Sequence, residues 1–148
     1  AAFGDVIPLG GPGYDPLEGI IGDPQAEYVV HATMLYWKAE KTEEFYDLAV
    51  ALIAQLNQTE GLLAYALGTD EVCGAARSIG IWRSEEDMYA FVTSGAHAKA
   101  MGLTDELSWS GKATHYTLPA TALATVGWDQ QRAALADVEP SGYYGNPE

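Results

Sequence analysis

His97 is the side chain best suited to moving a proton in this sequence. It follows a Ser94-Gly95 break and is flanked by Ala96, Ala98 and Ala100, so its neighbours leave room beside the ring. An imidazole titrates near neutral pH; in such a setting it could take the proton of a phenol, or ligate a metal or haem iron. The competing reading is a helix-end histidine bonded to a nearby carbonyl, and the residues alone leave both open. His31, His97 and His115 together would match the ligand count of a catalytic zinc site if they converged. Nothing in their spacing requires this, and paired histidines on one helix or clustered cysteines are absent, so no metal site is expected.

Arg77 lies in a segment that reads as a covered strand. A buried guanidinium must pair, with a carboxylate of the chain or with a substrate oxyanion. Tyr65, Trp37, Trp82 and Tyr36 suit a core or a dimer interface, and would equally line a pocket for a flat polycyclic ligand. Cys73 has no adjacent base or cationic helix end and reads as packing. Gly10-Gly11-Pro12-Gly13 has no strand before it and no helix after it, so it is not a phosphate loop, and no serine elbow or cysteine-nucleophile motif is present.

The elements that must position these groups follow from periodicity. Residues 28–37 form a β-branched and aromatic run with apolar side chains on both faces, which predicts a strand covered on both sides, by helices on one and by a second subunit on the other. Thr42 is placed to cap a helix in which Phe45, Leu48, Ala49, Leu52, Ile53 and Leu56 repeat at three and four. Strands are expected at 61–68 and 73–82, joined by a turn at Thr69-Asp70-Glu71. Ser84 caps a second helix rich in early acids, which breaks at Ser94-Gly95. After a loop at 104–106, a fourth strand covers 109–118. The order is the split βαββαβ, ferredoxin-like plan of an α+β domain, a four-stranded antiparallel sheet backed by two helices. In it His31 and His115 become cross-strand neighbours.

Residues 1–27 read as an arm whose Pro and Gly residues forbid a regular ladder, but whose Ile7, Leu9, Tyr14, Leu17, Ile20 and Ile21 lie on the body or on a partner. Residues 28–118 are the domain. Residues 119–148 form a second arm, with a short helix at 128–135 capped by Asp129 or its neighbours and a turn-rich tail from 141. The 148 residues suit one compact domain, and a net charge of −14 with only seven Lys and Arg argues against nucleic-acid binding. No apolar run spans a membrane. The expected home is cytoplasmic, with an exported protein whose leader has been removed as the alternative.

Three pieces carry a family resemblance: Glu60-Gly61-Leu62-Leu63-Ala64-Tyr65, Ile81-Trp82-Arg83-Ser84-Glu85-Glu86, and Phe91 followed by His97. Over residues 28–118 the chain resembles the dimeric α/β-barrel superfamily, specifically the antibiotic-biosynthesis-monooxygenase-like group and its haem-degrading relatives. The resemblance implies a homodimer whose two sheets pack into a barrel, with a substrate pocket in each subunit between sheet and helices. It implies cofactor-independent oxygenation or rearrangement of an aromatic or polycyclic metabolite, with a non-catalytic ligand-binding or stress-response role as the alternative. By analogy with the quinone-forming members, Asn57, Tyr65 and Arg77 would be polar pocket residues with Trp37 or Trp82 as the aromatic. Phe91 followed by His97 would lie at the end of the second helix, and Phe91 and His31 would be substrate-binding residues. The haem-degrading members imply haem on a late-helix histidine; Ala100 or Met101 falls in that register here, and the first strand has no asparagine. The expected reaction is abstraction of an enolate or phenolate proton by His97, assisted by Arg77 and Tyr65, then direct reaction with oxygen.

Overall fold

The computed structural model describes residues 4–15, 17–21 and 24–140. Its strands are β1 (Gly4–Gly10), β2 (Tyr14–Asp15), β3 (Gly19–Ile20), β4 (Glu27–Trp37), β5 (Leu62–Asp70), β6 (Ala75–Trp82) and β7 (Ser108–Pro119). Its helices are α1 (Thr42–Leu56), α2 (Glu85–Val92), α3 (Gly95–Gly102), α4 (Thr104–Leu107) and α5 (Trp128–Leu135). None of these helices is long and apolar enough to cross a membrane.

The sheet order is β1-β5-β6-β4-β7, with every neighbour antiparallel. The last four strands are the split βαββαβ arrangement, with β4 between β6 and β7. His31 stands opposite Gly80 on one side and His115 on the other, the register that the topology requires.

A fifth strand extends this plan. The N-terminal segment was expected to form no regular ladder, yet β1 pairs along β5, with register shifts on either side of Ile7. Pro8 is tolerated because the strand is at the sheet's edge, where a missing N–H costs no interior bond.

Period-two alternation sends the side chains of β4 to two faces. On the helix side, Val29, Leu56, Leu62, Tyr65, Trp82, Met88 and Phe91 form one core cluster, and Trp37 stacks on Phe45 of α1 with ring centroids 4.4 Å apart. On the other side, Tyr28, Val30, Ala64, Ala66, Ile79 and Ile81 form a second. The sequence assigned that second face to a twin subunit; the chain's own two ends lie over this cluster of it. Leu9, Tyr14 and Ile20 close over it from the N-terminal segment, and Ala120, Leu123, Val126 and Trp128 from the C-terminal one. Gln131 pins α5 in place by donating through Nε2 to the Thr33 carbonyl at 2.7 Å. Each large aliphatic side chain buried this way contributes about 1.5–3 kcal/mol, enough to explain why both ends fold onto the sheet.

Several local expectations are corrected. Thr42 is not a cap: a 3-10 turn (Ala39–Lys41) precedes α1, and the Thr42 hydroxyl donates to the Ala39 carbonyl and accepts from the Trp37 indole. Residues 104–107 are a helical turn, not a loop. Asp129 pairs with Arg132 and leaves the start of α5 without a side-chain cap. Cys73 is exposed in the β5–β6 turn, where Asp70 Oδ1 accepts from the amides of Val72 and Cys73. Ser84 does cap α2, accepting from the Asp87 amide at 3.1 Å. Gly61, at φ 84°, lets the chain entering β5 pass beneath this cap, where a Cβ would lie 2.3 Å from the Asp87 carboxyl carbon. The expected tail from 141 lies outside the described residues.

Removing residues 120–148 uncovers Val30, Ile79 and Ile81. The shortened chain is expected to aggregate or to form larger assemblies than the full chain, as read by light scattering on a sizing column; identical behaviour of the two would contradict this account of the sheet's cover.

Candidate functional site

On the helix side of the sheet, Thr33 and Leu35 of β4 and Ser78 of β6, with Leu48 and Leu52 of α1, are only partly buried. The polar groups of this face gather here. Trp82, fully buried, donates its indole N–H to His31 Nδ1 at 2.8 Å, and His31 Nε2 lies 3.3 Å from Ser78 Oγ. Ser78 Oγ in turn bonds Thr33 Oγ1. Gly80 makes room for this: a Cβ there would stand 2.2 Å from His31 Cε1.

Valence gives the chain a direction. An indole nitrogen can only donate, so Nδ1 of His31 is an acceptor and the ring proton sits on Nε2, pointing at Ser78. The two hydroxyls own two protons, of which one spans the Ser78–Thr33 contact. The other is left to donate outward, to water or to a ligand oxygen. His31 stays neutral in this arrangement, its pKa lowered from 6.5 to about 4, first by burial and then by the opposing imidazoles of His97 and His115.

His97 lies in α3 and is part of a continuous run of rings. Centroids are separated by 6.1 Å from His31 to Trp82, 5.5 Å from Trp82 to Phe91 and 4.9 Å from Phe91 to His97. Its Nδ1 donates to the Val92 carbonyl at 3.0 Å, which leaves the lone pair on Nε2. Burial lowers its pKa, and the bond to Val92 opposes that shift. Gln55 of α1 fixes the segment: Oε1 accepts from the His97 amide at 2.9 Å and Nε2 donates to the Ser94 carbonyl at 2.9 Å.

The structure thus brings together His31, Trp82, Phe91 and His97 and separates the other expected site residues. Tyr65 is in the helix-side core, its hydroxyl donated to Asn57 Oδ1 at 2.7 Å where α1 ends. Arg77 is paired with Met34 and Gly68 in register and lies on the opposite face from His97, lining a small cavity with Lys112, Gln131 and Arg132. It therefore cannot share a substrate with His97 and Tyr65 across the sheet. Trp37 lines a separate cleft at the far end of β4. The three histidines do not converge on one point: Nδ1 of His31 is taken by Trp82, and His115 turns outward to Glu85 Oε1 at 2.7 Å. Among the described residues, no group of three or more His, Cys, Asp or Glu side chains is arranged to hold a metal.

Sequence reasoning missed Thr33, Ser78, Gly80 and Gln55. The signal for the first three was their parity: Thr33 is two residues from His31, and Ser78 and Gly80 alternate with apolar Ile79 and Ile81, which puts polar side chains on a face that helices cover.

The model of the antibiotic biosynthesis monooxygenase family matches residues 28–103, just over half of the chain. The chain belongs to that family. No match is found among curated proteins. Solved structures share the fold at low identity. A Pseudomonas aeruginosa protein is 16% identical with a TM-score of 0.57, covering 67% of this chain and 100% of its own. A Shewanella oneidensis protein is 16% identical with a TM-score of 0.57, covering 64% of this chain and 93% of its own. A structure described as an antibiotic biosynthesis monooxygenase is 17% identical with a TM-score of 0.53, covering 62% and 97%.

Two expectations follow. Below pH 6.5 the unfolded chain takes up a proton at residue 31 that the folded chain refuses until about pH 4. Stability present above pH 6.5 is therefore lost as pH falls through that window, by about 2–3 kcal/mol. Urea unfolding near neutrality and in mild acid measures this loss, and His31→Gln, which cannot titrate, should remove most of it. Gly80→Ala should push its methyl group into the His31 imidazole, lowering stability by about 1–3 kcal/mol and breaking the Trp82–His31 bond. A Trp82 indole proton resonance unchanged in that variant would show the glycine to be dispensable.

Proposed function

We propose that this protein is a small monooxygenase-like enzyme that works without a cofactor, taking an aromatic or polycyclic metabolite into the cleft between the sheet and α1 and oxygenating it after proton removal. The observation that supports this reading is a run of packed rings, His31–Trp82–Phe91–His97, that carries an imidazole of opposite capability at each end. His97, its Nδ1 held by Val92, offers a lone pair at Nε2 that can accept a phenol or activated C–H proton. The Trp82–His31–Ser78–Thr33 chain offers a hydroxyl proton to the enolate or phenolate oxygen left behind.

The chemistry closes on itself. The carbanion form of the substrate adds to dioxygen, forming a C–O bond and a peroxide anion, which receives the proton held by His97. The O–O bond then breaks as a second proton leaves the same carbon, giving a carbonyl and one water. Oxygen is the only co-reactant, and the buried Trp82 and Phe91 rings keep bulk water from protonating the carbanion before oxygen adds. Arg77, on the other face, has no part in this version of the site, and Tyr65 acts only through the core. The hydroxyl and imidazole donors suit an oxygen-bearing ring system better than the apolar face of a porphyrin.

Oxygen uptake with anthrone and naphthol substrates tests the reading. His97→Ala should lower turnover by about a hundredfold or more with the melting temperature little changed. A variant with full activity would remove His97 from the role of base. Saturable binding of these compounds by the native chain without any oxygen uptake would instead favour a ligand-binding protein of the same fold.

A further inference from the structure

At the other end of β4 lies a cleft of about 460 Å³, between the start of α1, the β5–β6 turn and the first residues of β7. Trp37, which lines it, is six residues from His31 along an extended strand, so the two places are roughly 20 Å apart. Its volume lies in the range of about 300–1,000 Å³ typical of small-molecule sites. The walls are aromatic: Tyr36, Tyr46 and Trp109 are each partly exposed to it, with the edge of Trp37 behind them. The polar group at its mouth is the Glu71 carboxylate, held by the Tyr46 hydroxyl, which donates to Oε1 at 3.0 Å. Burial and the neighbouring carboxylate both raise the Tyr46 pKa, so the phenol keeps the proton it donates.

We propose that this cleft is a second binding site, for an aromatic ligand carrying a protonated amine. A carboxylate only accepts hydrogen bonds, and one bond from Tyr46 leaves most of its lone pairs for an ammonium group. Aromatic faces bind both a flat ring and a cation beside it. The chain itself shows that the indole of Trp109 receives an ammonium: Lys38 Nζ lies 5.2 Å from its centroid. Lys38, over the Trp109 ring, also donates to the Asp105 carbonyl, and Lys41 pairs with Glu44 and Glu106; none of these bonds reaches Glu71. A net charge of −14 draws cationic ligands towards the surface and repels anionic ones. None of the groups that make this site belongs to the His31–His97 cleft, so the two can be tested separately.

The experiment is calorimetric titration of the full chain with 2-(2-naphthyl)ethylamine, the corresponding alcohol and 2-naphthylacetate, which share a ring and differ in charge. The amine should bind saturably and at least tenfold more tightly than the acetate. Glu71→Gln should weaken the amine by about tenfold, to the level of the alcohol, while leaving the alcohol unchanged. Trp109→Ala should weaken amine and alcohol together, and His97→Ala neither. Equal affinity for amine and acetate, no saturable binding of the amine, an unaffected Glu71→Gln variant, or loss of binding in His97→Ala would each overturn the assignment.

Discussion

The hydrogen bond from Trp82 to His31 joins the fold of this protein to its chemistry. Trp82 has no accessible surface and its indole nitrogen has no role except donor, so leaving it unpaired would cost about 1–3 kcal/mol. His31 must therefore remain an acceptor at Nδ1 whenever the core is intact. That single demand fixes the tautomer, aims the other ring nitrogen at Ser78 and sets the direction of the hydroxyl chain beyond it. It also ties proton uptake at this imidazole to the stability of the whole sheet. The glycine opposite His31 belongs to the same demand, since the ring crosses the backbone of β6 at a point where any Cβ would collide with it.

The second constraint is that β4 is apolar on both sides. The physics of that strand requires cover but does not say whose atoms provide it. Here the N-terminal hairpin and the C-terminal turn and helix do so, leaving Val30 and Ile81 with 1% of their surface exposed in a single chain. The segment matched by the family model begins after β3 and stops before β7, so the parts that cover this face lie outside it.

What could be read from residues was what local pattern controls. The three-and-four repeat of α1, the Ser84 cap, the break at Ser94-Gly95 and the strand order all follow from period and capping, and the register of His31 against His115 follows from the order. The face assigned to Arg77 was also within reach: it stands five residues from Trp82 in one strand, an odd separation that places them on opposite faces. What could not be read was depth. Whether Thr33 and Ser78 meet water or a helix depends on where α1 settles, and whether His97 bonds a carbonyl depends on how α2 gives way to α3. Cys73 and Thr42 illustrate the same limit, for a turn residue becomes exposed and a capping residue is diverted once Trp37 lies beside it.

The irregular pairing of β1 has a consequence for the sheet as a template. An outermost strand normally presents a continuous row of amides and carbonyls on which another chain can add. On this flank, Pro8 removes one donor and the shifts on either side of Ile7 throw the remaining groups out of step. An incoming strand would find no evenly spaced partner there, so accretion of further copies is discouraged on that side by the same irregularity that made the segment look unfit for a sheet.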